Sequence, residues 1–531
     1  MKKISIIAIL LVAFVALSAR TVQQDYTFED LSITNVDGYN QLKLPNTINV
    51  GHVGEPSIPW AGASLYLGTG VEAKAVRIIK TRGEVINREL NLEPIQPDYP
   101  LSYSGHIEPA TPDASIYDAD KIFPYEPSRN LSTHFMAGHA LGFVSFSPIE
   151  YNPVSGEVTF YRSIRVEIET ATTSKAQAAL SLLKSDSFTR NRVLRLVDND
   201  SSVFSMSREA VPEGYEYLLI LDQSKIAQWQ SLISYYESKA WRVEYMTVQD
   251  IESNGTGADF QDKLRNTIID EYTNNNIQLV LLGGDTDVIP HRGFYVDMQD
   301  DSYTDADIPA DMYYGCLDGN WNYDGDNYWG EPDETDLVYE VAVGRICYNI
   351  NSDITNAINK IISYQTIPVE DEIETDLMVG EYLWDAPTWG GDYMDEMIDG
   401  ASTNGYTTVG IPSSWSIDTI YDRDLGGDGS WGASTILNGF SQGYNFVNHL
   451  GHSATTYTMR LSNNPVTASN ITNNGSHHNF STLYTQGCYG GAFDNRETNA
   501  GQYTSDCISE KFQALQNGVV AMLSNSRYGW G

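Results

Sequence analysis

The spacing of apolar residues changes once along this 531-residue chain, near Glu213, and that change constrains its architecture more than any other feature. From about Thr21 to Asp200, short runs alternate apolar and polar residues, as in VTFYRSIRVEIET, and are broken by turn clusters such as NVDGYN, YNPVSGE and EPSIPW. A period of two with frequent turns predicts β-strands arranged as one or more sandwich-like units. After Glu213, apolar runs alternate with helical stretches: YEYLLILD, KIAQWQSLISYYESKA, WRVEYMTV, a helix around Gln261 to Asn275, then IQLVLLGGD. Strands alternating with helices predict a mostly parallel sheet covered on its faces. Further strands are predicted in YEVAVGRI, DLMVGEYL, YNFVNHLG, FSTLYTQGC and VVAMLSNS. The chain is too long for one ordinary domain, and the change of period divides it into residues 20–205 and 206–531. The expected fold class is α/β, a mostly parallel sheet covered by helices and preceded by a β-rich N-terminal segment.

Residues 1–19 pair two lysines with an apolar run and end in small residues, the pattern of a secretory signal peptide cleaved near Ser18 or Ala19. No later run is long and apolar enough to suggest a transmembrane helix, so export is expected. With 32 Lys+Arg against 70 Asp+Glu, the formal charge is −38. Such a surface repels phosphate backbones and anionic lipid, which excludes nucleic acid as a partner and favours cations. The four cysteines, Cys316, Cys347, Cys488 and Cys507, are too few and too scattered for a disulfide framework and form no CxxC pair. Between the two regions lies RNRVLRLVDNDSSVFSMSREAVPEG, with Arg190, Arg192, Arg195 and Arg208. It reads either as a plain linker or as an exposed activation cleavage site.

Two stretches near the C-terminal end carry the chemistry. In FVNHLGHS, His452 falls just past a predicted strand, and in STLYTQGCYGG, Cys488 falls just past another, 36 residues later. Ligand crevices of open α/β sheets lie outside the carboxyl ends of the strands. If these strands are neighbours, thiol and imidazole converge, and the imidazole can take the thiol proton to give a nucleophilic thiolate. The glycines at 487, 490 and 491 would let a substrate backbone approach and leave N–H groups for an oxyanion. A strand-end cysteine alone is ordinarily a small buried hydrophobe, and a lone histidine says no more. His449 competes with His452 as the base, but it lies three residues back in the strand. HxxH on a strand is a poor zinc pair because the side chains point to opposite faces.

The pair Gly451-His452-Ser453 and Cys488-Tyr489-Gly490-Gly491 resembles the gingipain family of secreted cysteine peptidases, which share a caspase-like fold with caspases, legumain and clostripain. The likeness extends through LLGGDTDVIP, VAVGRI and CISEKFQALQNGVVAMLSNS, covers roughly residues 213 to 531, and makes the N-terminal β region a prosegment. It implies Cys488 as nucleophile and His452 as general base, with Glu381 of MVGEYLWD orienting the histidine and the N–H groups of Cys488 and Ser453 holding the oxyanion. Ser453 departs from the glycine usual there, which narrows the backbone options. Asp392, eleven residues after Glu381, matches an S1 carboxylate that would select arginine by a bidentate pair. Equally, Asp392, Asp395 and Glu396 could form an acidic first helical turn.

LDGNWNYDGDNYWGE sets Asp318, Asn320, Asn322, Asp324 and Asp326 on alternate positions of a loop, an arrangement that can turn several oxygens toward one hard cation. It is not an EF-hand, since glycine comes eighth and Glu331 fourteenth. Gingipains bind calcium, so the resemblance implies a structural calcium ion here, against the alternative of a polar surface loop; His477-His478 reads as loop. The chemistry itself calls for no cofactor. The expectation is a secreted or bacterial cell-surface zymogen of a cysteine endopeptidase, monomeric, acting on proteins or peptides through a thioester. Its catalytic domain, ending at SNSRYGWG directly after a strand, reads as cut short. Two alternatives are a catalytically silent surface or adhesion protein, and a calcium-dependent hydrolase or binding module in which the cysteine is structural.

Overall fold

A computed structural model describes residues 20–87, 89–103, 106–199, 214–298, 303–332, 334–384, 388–402, 407–496 and 506–530. The expected signal peptide and Arg208 lie outside the described residues. Among the described residues, no helix is long and apolar enough to cross a membrane.

The period of two becomes two antiparallel sheets. In Glu157–Ala171 the residues Val158, Phe160, Ile164, Val166 and Ile168 are buried, while those between them stay partly in solvent. That strand pairs with Thr21–Thr27, Glu72–Asn87 and Ile149–Asn152. A second sheet orders Ile48–Asn49, Pro59–Thr69, His139–Phe146 and Ser128–Met136. Leu65 and Phe146 of this sheet share one core with Phe160 and Val166 of the first, as a sandwich requires.

The strand–helix alternation yields parallel strands in two sheets. The first orders Val243–Thr247, Tyr217–Leu221, Leu279–Gly283 and Ala342–Ile346. Tyr217–Leu221 is buried at all five positions because both faces are covered. Leu218 and Ile220 enter one core with Leu264 and Ile268 of a helix, while Tyr217, Leu219 and Leu221 enter another with Trp229, Leu232 and Ile358. The second sheet orders Ser416–Tyr421, Thr375–Gly380, Phe446–Leu450, Ser481–Thr485 and Val519–Ser524, again parallel throughout.

Helix Asn351–Thr366 joins the two sheets. It places Ile354 and Ile358 in the first sheet's core and extends Lys360 toward the second, where the buried ammonium donates to the carbonyls of Phe512 (3.1 Å), Gln513 (3.0 Å) and Val519 (2.7 Å). Burial pulls that ammonium down to a pKa of about 7.

The first part of the stretch read as a linker is folded. Helix Ser187–Leu194 is capped by Asp186, buries Val193, and sends Arg192 to the carbonyls of Glu340 (2.7 Å) and Tyr339 (2.5 Å). Asp198 and Asn199 then accept the backbone N–H groups of Ser64 and Tyr66, each at 2.9 Å. Polar composition here serves capping and docking, not solvation. The rest of that stretch, residues 200–213, lies outside the described residues.

Candidate active site

Four adjacent strands of the second sheet end in polar residues at one edge. Tyr421 is followed by Asp422, Gly380 by Glu381, Leu450 by Gly451 and His452, and Thr485 by Gln486, Gly487 and Cys488. Phe446–Leu450 and Ser481–Thr485 pair directly, with His449 opposite Thr485, so both predicted residues leave from neighbouring strand ends.

Glu381 is buried and spans the two histidines. One oxygen accepts from His449 Nε2 at 3.2 Å, and the other accepts the backbone N–H of His452 at 3.2 Å. Burial opposes its charge, but the His449 hydrogen bond and the positive fields of His449, His452 and Arg460 outweigh that, holding the carboxyl below its usual value. Glu381, expected to orient His452, contacts that residue through its main chain. His449, considered above as a rival base, is fully buried and has both nitrogens engaged, Nδ1 with Thr485 Oγ1 at 2.7 Å. It fixes Glu381 and has no free nitrogen for a substrate.

The His452 ring reaches the Tyr382 carbonyl, Nε2 to O 3.0 Å. Tyr382 is fixed in turn by its N–H to Asp422 Oδ2 (2.7 Å), and Asp422 is held by a two-pronged pair with Arg460 (2.7 and 3.1 Å). Neither Asp422 nor Arg460 was singled out from the sequence. Asp422 follows strand Ser416–Tyr421, which the apolar pattern does not mark, and Arg460 carried no signal.

Cys488 sits on a strained turn. Tyr489 has φ of +58°, a left-handed value uncommon for a bulky residue, and is held by its N–H to Arg527 O (2.6 Å) and by its ring against Tyr528. The Cys488 thiol is 1% exposed and donates to the Gly529 carbonyl at 3.7 Å. That carbonyl also accepts the N–H of Leu101, from the β-rich N-terminal region, at 2.8 Å. Pro100 bridges to Trp530, and Leu101 packs in one cluster with Cys488, Tyr489, Leu450 and Trp384. The N-terminal region therefore lies over the thiol. Imidazole and thiol are each engaged elsewhere, on the Tyr382 and Gly529 carbonyls.

Ser453 fits where glycine was expected. Its backbone is outside the left-handed region, its hydroxyl donates to Thr458 Oγ1 at 2.8 Å, and its side chain occupies the space that any Cβ on Gly487 would overlap. Gly451 is required for a similar reason, since a Cβ there would meet both Glu381 and His449. Asp392 stands at the start of helix Gly390–Asp395, exposed, and binds Arg423 together with Asp395 and Asp424. Of the two readings given above, this is the acidic first helical turn, and the residue takes part in a surface ion-pair group.

The five expected metal ligands do not converge. Asp318 is buried with both carboxylate oxygens unpartnered, and burial followed by the charges of Glu340 and Asp336 pushes its pKa well up. Asn320, Asn322, Asp324 and Asp326 spend side-chain oxygens on the N–H groups of Asn322, Gly325, Asp326 and Tyr328, at 2.6–3.1 Å. Short Asx side chains in turns hydrogen-bond their own backbone, a use the alternating pattern does not reveal. Within the loop Asp324 instead gathers with Glu331 and Glu334, one ligand atom of each within 4.8 Å of the others.

Among curated proteins, the chain is 25% identical over 435 residues to gingipain R2 of Porphyromonas gingivalis (strain ATCC 33277), covering 77% of this chain and 50% of that one. It is 22% identical over 428 residues to gingipain R1 of Porphyromonas gingivalis, covering 77% and 37%. The chain thus spans half or less of the length of these relatives. Among solved structures, the complex of Porphyromonas gingivalis RgpB pro- and mature domains matches at 19% identity and a TM-score of 0.42, covering 59% of this chain and 64% of that one. The Arg-specific cysteine proteinase gingipain R matches with the same identity and TM-score, covering 61% and 65%. The propeptide model of family C25 matches residues 20–192 and the model of the peptidase itself residues 210–531. The second match takes in more than half of the chain, which belongs to peptidase family C25.

Proposed function

We propose that this chain is the zymogen of a cysteine endopeptidase whose thiol is covered by its own N-terminal region. The observation carrying the reading is the Gly529 carbonyl, which takes the Leu101 N–H and the Cys488 thiol together. Departure of the Pro100–Leu101 segment would open the edge of the second sheet to a substrate. Cys488 would pass its proton to His452 and attack the scissile carbonyl; the imidazolium would protonate the leaving amine, and water would release the acyl group from the thioester. Ionised Glu381 would favour the imidazolium while holding the His452 main chain, and the N–H groups of Cys488 and Ser453 are the proposed oxyanion donors.

Arginine preference at P1 belongs to the same proposal. It requires Arg423 to leave the carboxylates of Asp392 and Asp395, which it occupies, so that a substrate guanidinium can take its place. A structural calcium ion is proposed on Asp324, Glu331 and Glu334, since Glu334 Oε2 is buried without a hydrogen-bond partner and faces a set of hard oxygen donors. Export by the N-terminal signal and a monomeric state complete the reading.

A silent scaffold is the second reading, favoured by the separate engagement of His452 and Cys488. The test is peptidase activity on fluorogenic peptides bearing Arg, Lys, Asn or Asp at P1, after limited cleavage within residues 200–213, with Cys488→Ala beside the wild type. Cleavage lost in the variant supports the enzyme. A cut, folded and calcium-loaded wild type that stays inactive sinks it.

A further inference from the structure

The carboxyl edge of the first parallel sheet holds a thiol and two carboxyls that the chemistry above does not use. Strand Leu279–Gly283 leads to Asp285, its neighbour Ala342–Ile346 leads to Cys347, and helix Ile508–Ala514 brings Glu510 across them. One ligand atom from each lies within 4.8 Å of the other two. The Cys347 thiol is buried, and no hydrogen bond engages it among the described residues. The groups therefore face a common point without bonding one another. Cys507, also buried, caps the same helix, its N–H donating to Glu510 Oε2 at 2.8 Å, and its charge bears on Cys347.

Acidic groups crowd this corner. The cation bearing on it is Arg345, whose guanidinium is committed to Asp311 and to the carbonyls of Gly284 and Ile289. Burial, reinforced by neighbouring acids, raises the pKa of Asp285, pushes that of Glu510 up to about 8, and lifts the Cys347 thiol well above its ordinary value. A cavity of about 380 Å³ borders Cys347, Ser509 and Glu510 and supplies a path from solvent.

We propose that Asp285, Cys347 and Glu510 form a binding site for a borderline-soft divalent cation of the Zn²⁺ type, with a water from the adjoining cavity as fourth donor. Mixed thiolate and carboxylate ligands suit such an ion, and neither Ca²⁺ nor Mg²⁺ accepts sulfur readily. Binding releases the thiol and carboxyl protons, so affinity rises with pH. The ion would join the first sheet to a helix that braces both loops of the second, for Ile508 N donates to Thr455 O (2.7 Å) and Ser509 N to Gly490 O (3.2 Å).

Co²⁺ titration of the reduced, metal-free full chain tests this. One ion per chain should bind with a near-ultraviolet thiolate-to-metal absorption and be displaced by Zn²⁺. Cys347→Ser and Glu510→Gln should each abolish the band or weaken binding at least about tenfold, the loss seen even for residues that merely support ligands. Cys488→Ser should keep it, with circular dichroism confirming that all three variants are folded. Absence of the band overturns the proposal, as does a band lost in Cys488→Ser and kept in Cys347→Ser, or a Cys347–Cys507 disulfide in protein purified with Zn²⁺.

Discussion

In the first sheet, strands ending at Leu221, Gly283 and Ile346 give way within two residues to Asp222, Asp285 and Cys347; in the second, strands ending at Gly380, Leu450 and Thr485 give way within three to Glu381, His452 and Cys488. Both edges thus receive a thiol and acids from parallel strands, as sheet topology directs. They differ in what meets those groups. At the second edge Glu381 takes a histidine ring and a histidine N–H, and the strained turn at Tyr489 presents the cysteine. At the first edge the thiol lies among acids with the nearest guanidinium spent elsewhere. Topology places reactive residue types, and the loops that close over them decide whether they become nucleophile or ligand.

The strongest way to break this contrast is Cys488→Ala, which should lower kcat/KM of the activated enzyme by at least about 10⁴-fold; residual turnover within tenfold of wild type would move the chemistry away from the second edge. His449→Gln removes the ring that fixes Glu381, and kcat should fall by about 10- to 100-fold with KM little changed. A structural role alone would show instead as a lower melting temperature at constant kcat. Leu101→Asp, which places a charge in the cover over Cys488, should speed alkylation of that thiol in the uncut chain by about tenfold, judged by the cost of burying an unpaired charge. The buried first-edge thiols, read by peptide mapping, should not respond.

The smallest effect concerns how the N-terminal region docks beside the first sheet. Phe135 and Ala137 donate their N–H groups to Asp336 and Glu340, each at 2.9 Å, with His134, Asp318 and Arg192 nearby. Burial raises the pKa of Glu340 from 4.5 to about 7, against the opposing N–H bonds from Leu317 and Ala137. Where departure of the N-terminal region returns Glu340 to solvent, the docked state binds more protons than the open one, and docking should weaken as pH rises from about 4.5 through 7. Co-elution of the cut N-terminal region with the remainder should be more complete at pH 5 than at pH 8, and the reverse order would contradict this sign.

The period change, most strand positions and the edge location of His452 and Cys488 were legible in the sequence, because burial on both faces leaves unbroken apolar runs that end where the loops begin; the edge strand Ser416–Tyr421, half exposed, and the division into two sheets were not. What was not legible depends on pairings between distant segments. Arg460 reaches Asp422 only once a loop folds back over the edge, and Leu101 reaches Gly529 across most of the chain. The metal loop misled for a different reason: alternate Asp and Asn residues are as well suited to closing their own turns as to holding an ion, and here most close turns. Asp392 was placed correctly at the start of a helix but not in a pocket, because Arg423 and Asp424 arrive from the neighbouring strand end.

The close fit of Ser453 against Gly487 also bears on how such a sequence can change. Any Cβ at 487 would overlap the Ser453 side chain, so the two positions are epistatic: alanine at 487 should be harmful beside serine and much less so beside glycine at 453. A lineage moving from glycine to serine at 453 must already carry glycine at 487, while the return path is open at any time. The order of substitutions is thereby constrained in one direction, and a double-mutant cycle at these two positions would measure how strongly.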